Sequence, residues 1–339
     1  MRRLCGAALV ASIALALACG GGSGSGDGQL AQIQTATAEN IARSVMLAFN
    51  LTADLSTIGA EVAGGDAMSA ASAAAADALR IAAIGVVPLA AGSPFGPITV
   101  NCEKDGSVTL TGTVSSPDTL TANDHFSAEF DQCKELNAGG VDVTFDGPLD
   151  FTVVTFSGDL ADLFSLTLDL VFCDPDTSSA CDRDFSVTGG GTTYTVVGRA
   201  RTVVDSTAPP LLKSSATGST LALAQGNNSV ALRSFLTTPT QDGAKGSYEL
   251  TGNGRLASTN FDGDPTTDDG EVRYEVTTTL EGNTGNPPDA GVVLVTGANS
   301  AMQIVPNPNG TDVALELDLD GNGTFDDDTV MTTWADLGL

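Results

Sequence analysis

The sequence predicts an α+β fold: a large, strongly curved antiparallel β-sheet, half-barrel or barrel-like, covered by two N-terminal helices. Three observations carry this expectation. From Pro97 onward, apolar residues recur at every second position in about a dozen short runs. Gly, Asp and Asn separate those runs at hairpin distance. Helical spacing is confined to the chain before Pro88. About a dozen strands do not stay flat in one open sheet, so they curl or split into two packed layers. A β-sandwich with the helices at one side is therefore the alternative. A transmembrane barrel is disfavoured, because outward faces rich in Asp cannot sit in lipid.

The chain opens with MRRLCGAALVASIALALAC. Arg2 and Arg3, the apolar run Ala7 to Ala18 and the small residues before Cys19 follow the grammar of a secretory signal, residues 1–18. The apolar run is shorter than the ~20 residues a membrane span needs. Residues 19–28, CGGGSGSGDG, have the Gly/Ser composition of a tether. With Cys19 directly behind Leu15-Ala16-Leu17-Ala18, this stretch resembles a bacterial lipoprotein signal, although Ala16 stands where that pattern usually has Leu. The resemblance implies removal of residues 1–18 and acylation of Cys19, so that the membrane is a partner through the lipid. Gly20, rather than Asp, implies onward transport to the outer membrane, on its periplasmic or cell-surface face.

Residues 29–88 are expected to form the helical cover. Leu30, Ile33, Ile41, Val45, Phe49, Leu55, Ile58 and Val62 follow three-and-four spacing, with a kink or division at Asn50 to Ser56. Gly64-Gly65 breaks that helix, and Asp66 caps a second through MSAASAAAADALRIAAI, where Leu79, Ile81 and Ile84 face something apolar. Gly85 and Pro88 end it.

Residues 97–204 form a first antiparallel β-region and residues 230–339 a second, continuous with it. Phe164, Leu166, Leu168, Leu170 and Phe172 show the period most clearly. One apolar face and one Thr/Asp-rich face per strand mean one buried side and one wet side. Residues 205–229, DSTAPPLLKSSATGSTLALAQGNNS, carry mixed signals and read as a joint between the two regions.

Four cysteines follow Cys19: Cys102, Cys133, Cys173 and Cys181. An even count in an exported chain reads as disulfides. Of the three connectivities, Cys102–Cys133 with Cys173–Cys181 closes local loops. Loop entropy assigns these about 3.5 and 2.5 kcal/mol. The spacings match no zinc pattern.

With 42 acids and 14 bases the chain has a net charge of −28. Such a chain has no counter-charge to offer phosphates, so nucleic-acid binding is excluded, and it is repelled from anionic head groups, leaving the anchoring to the lipid. Acidic loops suggest hard-cation chemistry instead. Asp262, Asp264, Asp268 and Asp269 lie in FDGDPTTDDGE; Asp318, Asp320, Asn322 and Asp326 lie in DLDGNGTFDDD. Acids at alternate positions around a Gly can converge oxygens on calcium (Ca2+), and the second loop matches the opening of an EF-hand. It departs where Thr329 replaces the bidentate Glu. A plain DG/NG hairpin turn needs the same residues for backbone reasons alone.

Catalytic motifs are missing from the sequence. There is no G-x-S-x-G, H-E-x-x-H or P-loop, and the single histidine, His125, sits in a strand-like run without a partner motif. No catalytic residue is assigned.

The stretch from Gly291 to Leu337 contains VTGANS (Val295 to Ser300), DLDGNG (Asp318 to Gly323) and TTWADL (Thr332 to Leu337). Together with NCEKDGSVTLTG and FDQC around Cys102 and Cys133, it resembles a group of uncharacterised Gram-negative bacterial lipoproteins. That resemblance implies lipoprotein export and a β-rich fold, and brings no activity. The expected role is thus a non-enzymatic outer-membrane lipoprotein that binds an apolar small molecule or an envelope protein, or scaffolds the envelope. A calcium-dependent surface or adhesion protein is the alternative, and a hydrolase with an unrecognised site the third reading.

Overall fold

Alternation along each run becomes a two-faced strand, and hairpin-length connectors leave each strand no partner nearer than its neighbour in sequence. The computed structural model describes residues 30–56, 93–116, 120–136, 142–158, 163–172, 184–189, 192–225, 228–262 and 270–338. It contains one helix among them, α1 (Ala38–Ser56), and fifteen strands. These are β1 (Ser93–Asn101), β2 (Asp105–Val114), β3 (His125–Leu136), β4 (Asp142–Gly158), β5 (Phe164–Phe172), β6 (Phe185–Gly189), β7 (Thr192–Ala208) and β8 (Leu211–Gln225). The series continues with β9 (Asn228–Asp242), β10 (Ser247–Ser258), β11 (Glu271–Asn283), β12 (Ala290–Gly297), β13 (Ser300–Pro306), β14 (Asp312–Asp318) and β15 (Asp328–Thr333).

All fifteen belong to one antiparallel sheet in sequence order. The single detour is β6. Residues 143–146 of β4 pair with β6, whereas residues 150–158 pair with β5. β7 divides in the same way, so β5 and β6 lie end to end in one strand position. Inward residues form a single buried core. In β5, Phe164, Leu166, Leu168, Leu170 and Phe172 are all buried. Phe126 stacks on Phe151 at 5.0 Å between centroids, and Phe185 meets Phe130 and Phe172 at 5.8 and 5.4 Å.

The helical cover differs from expectation. Leu30 and Ile33 are not helical. Residues 30–33 run extended: Leu30 bridges Glu271, Ala31 N–H donates to Glu271 O, Ala298 N–H donates to Ala31 O, and Ile33 N–H donates to Ser300 Oγ. Sheet backbone supplies partners that outweigh a weak helical pattern. Thr37 stands directly before α1, its carbonyl accepting from Ile41 N–H. The kink expected at Asn50 to Ser56 is replaced by unbroken helix. There Thr52 Oγ1 donates back to Ala48 O, and the buried face continues through Phe49, Thr52, Leu55 and Ser56. The second expected helix, Asp66 to Ile84, lies outside the described residues. α1 packs on β7, β8, β9 and β10 and also touches β14 and β15.

The expected joint at 205–229 is instead the β7–β8 hairpin and the whole of β8, paired with β7 on one side and β9 on the other. Its alternation is masked by small residues, for a packing reason. Ser214 and Ala216 are buried under the end of α1, and Ser56 Oγ lies 2.8 Å from Ser214 Oγ.

Cys102 and Cys133 form a disulfide, tying the end of β1 to β3 across β2. Cys19, Cys173 and Cys181 lie outside the described residues.

Candidate functional site

The connection from β14 to β15 gathers the densest acid cluster among the described residues. β14 delivers Asp318 to its end, where the side chain is buried. Gly321 and Gly323 take positive φ and fold the chain back over it. Asp318 then accepts from three backbone N–H groups: Gly321 at 2.7 Å and Asn322 at 3.1 Å on Oδ1, and Gly323 at 2.9 Å on Oδ2. Asp327 Oδ2 accepts from Leu319 N–H at 2.6 Å and Asp320 N–H at 3.2 Å.

The expected ligand set is therefore rearranged. Asp318 and Asp320 come together with Asp327, each offering an oxygen within 4.8 Å of the others. Asp326 does not join them; its Oδ1, like that of Asn322, accepts from Thr324 Oγ1. A calcium ion takes six to eight oxygens. Here three carboxylates converge, and those of Asp318 and Asp327 are already engaged by backbone N–H groups. The residues fit a self-satisfied turn better than a cation cage. On the β10–β11 connection Asp262 is exposed, and Asp264, Asp268 and Asp269 lie outside the described residues.

His125 stands exposed on β3 with Nδ1 3.2 Å from Thr152 Oγ1. The buried acid beside it in sequence, Asp124, serves the backbone: its carboxylate accepts from Ser115 N–H and Thr121 N–H at 2.7 and 2.8 Å. These contacts hold the β2–β3 connection.

A cleft of about 210 Å³ lies between the start of α1, the ends of β9 and β10, and the C-terminal turn. It is below the ~300 Å³ at which ligand pockets begin. Arg43 on its wall is committed, donating to Asp336 O, Asn40 Oδ1 and Glu39 Oε1.

Sequence reasoning missed Glu271, which is buried at the start of β11. Arg233 Nη1 and Arg255 Nη1 each lie 3.5 Å from one of its carboxylate oxygens. Only strand register brings these three together, so no spacing in the sequence could have found them. No family model, curated protein or solved structure matches this chain.

Proposed function

We propose that this chain is an exported lipoprotein, acylated at Cys19 and anchored to the outer membrane, whose β-domain binds or scaffolds envelope components without catalysis. The disulfide Cys102–Cys133 is the observation that carries this reading, because such bonds persist in oxidising compartments. It agrees with the signal grammar of residues 1–19, and no helix among the described residues is long and apolar enough to cross a membrane. Strong curvature of the sheet belongs to the same reading. It is supported by α1 reaching both β7–β10 and β14–β15, which are strands apart in the sheet order.

The test is the intact mass of the protein extracted from membranes of a Gram-negative host. The expected species begins at Cys19 and carries acyl chains. A species retaining residues 1–18, or lacking lipid, would overturn the reading.

A further inference from the structure

Among the described residues both ends of the sheet are strands paired on one side only: β1 with β2, and β15 with β14. An open strand edge is a template for another chain, and proteins blunt it with Pro, bulges or charge. β1 is blunted by Pro94, Pro97 and a register shift between Phe95 and Ile98. β15 has none of these devices. Its pairing with β14 runs from Asp328 to Thr333 without a shift. From Thr329 to Trp334 it carries no charge, in a chain with 42 acids.

Register decides which backbone groups stay open. Asn307 N–H donates to Asp312 O, and Trp334 N–H donates to Thr311 O. Antiparallel bonding alternates along a strand, so Val330 and Thr332 exchange bonds with Leu315 and Val313 of β14, whereas Thr329, Met331 and Thr333 turn theirs to the open side. Two of those groups are engaged within the chain. Thr329 N–H donates to Asp328 Oδ1 at 2.9 Å, and Thr333 O accepts from Leu337 N–H at 3.1 Å. Thr329 O, Thr333 N–H and both backbone groups of Met331 are left facing outward. The Met331 side chain is 58% exposed, more than any other large apolar residue among those described.

We infer that β15 pairs with β15 of a second copy of this chain, antiparallel about a two-fold axis through Met331. The strand is complementary to itself in that register. Met331 lies opposite Met331, each N–H donating to the other's carbonyl, and Thr333 N–H of each copy meets Thr329 O of the other. The two engaged groups, Thr329 N–H and Thr333 O, face one another, so every open group meets an open one. A foreign strand would have to match this pattern; a second copy has it by symmetry. Val330 lies opposite Thr332, a β-branched pair suited to a sheet. No acid of β15 meets another: Asp328 stands opposite Trp334, where the other chain has already left the strand. Glu316 and Asp312, behind Thr329 and Thr333 in β14, end three strand spacings apart, ~14 Å and beyond the Debye length. One strand pair is smaller than a standard interface, so the association is expected to be weak, with a dissociation constant of roughly micromolar order.

The test follows the full chain, purified in detergent, by sedimentation across about 1–200 μM. The parent is expected to pass from monomer to dimer in that range. Met331→Pro removes a donor from the open side while keeping the β14–β15 bonds. It should raise the dissociation constant about tenfold or more, with the unfolding midpoint of the dilute protein close to the parent's. Register is read separately, by disulfide cross-linking under mild oxidation. Met331→Cys copies should join roughly tenfold faster than Thr329→Cys or Thr333→Cys copies alone, whose positions lie ~14 Å from themselves across the pair. A mixture of the last two should match Met331→Cys. A parent that stays monomeric throughout, a dimer left unweakened by a folded Met331→Pro variant, or equal joining at the three positions would overturn the pairing. None of these outcomes bears on acylation at Cys19.

Discussion

Thr52 of α1 and Thr237 of β9 meet hydroxyl to hydroxyl at 2.7 Å, both wholly buried, and so join the helix to the middle of the sheet. Their roles are unequal. Thr52 Oγ1 donates within its own helix to Ala48 O at 2.8 Å, so Thr237 is the donor between them. Thr237→Val removes one acceptance and is expected to cost about 1 kcal/mol. Thr52→Val strands a buried donor and is expected to cost about 2 kcal/mol. Denaturant unfolding of both single variants and the double measures this. Equal single costs that add without coupling would refute the assignment.

The disulfide closes a separation of 31 residues around β2. Replacing Cys102 and Cys133 together by Ser is expected to lower stability by about 3.5 kcal/mol, chiefly by releasing the unfolded chain. The urea midpoint of the variant should fall below that of the oxidised parent. A variant midpoint equal to that of the oxidised parent would show the bond does not restrain unfolding.

In the β14–β15 turn, cost should follow the backbone bonds rather than the charge. Asp318→Ala strips the acceptor from three N–H groups and is expected to cost about 2 kcal/mol. Asp320→Ala, at an exposed position, should stay within about 0.5 kcal/mol. Adding calcium should leave the thermal midpoint where it was. A rise that grows with calcium concentration would restore the cation-binding reading.

Tyr274 packs edge-on against Phe49 of α1, ring centroids 5.0 Å apart, and its hydroxyl is buried without a hydrogen-bond partner. Burial alone raises its pKa above the ordinary phenol range. A phenol that holds its proton more tightly when folded contributes stability fully below the unfolded value of about 10, and loses it as pH rises beyond that. Tyr248, raised first by burial and then by Asp289, adds in the same direction. Tyrosinate absorbance of these two rings is therefore expected to appear only with alkaline unfolding. Tyr274→Phe should be neutral or stabilising by about 1 kcal/mol, since it removes an unpaired buried hydroxyl. Gly254→Ala should destabilise, because a Cβ there would press on the Tyr274 phenol.

Much of the β-architecture was readable in the sequence because period two is a local property. Val108 and Leu110, or Leu166 and Leu168, declare which way they point without knowing their partners. Cys102 and Cys133 found each other for a related reason: hairpins bring close what lies one strand apart. The Asp318 turn was legible as a turn, since Gly321 and Gly323 supply the positive φ it requires. As a ligand set it was not, because side-chain direction in a loop is settled by which N–H groups need acceptors. That competition selected Asp327 over Asp326.

What the sequence determined by itself was therefore the kind of structure, antiparallel and hairpin-linked, with its inward residues and the Cys102–Cys133 cross-link. Tertiary structure alone decided where α1 lies, that Leu30 to Ile33 run extended beside β11, and that β8 is an interior strand. It also decided that Arg233, Arg255 and Glu271 converge. These depend on pairing between residues far apart in the chain. Close approach of helix to sheet also demands small residues such as Ser214 and Ala216, which erase the alternation a reader of the sequence relies on.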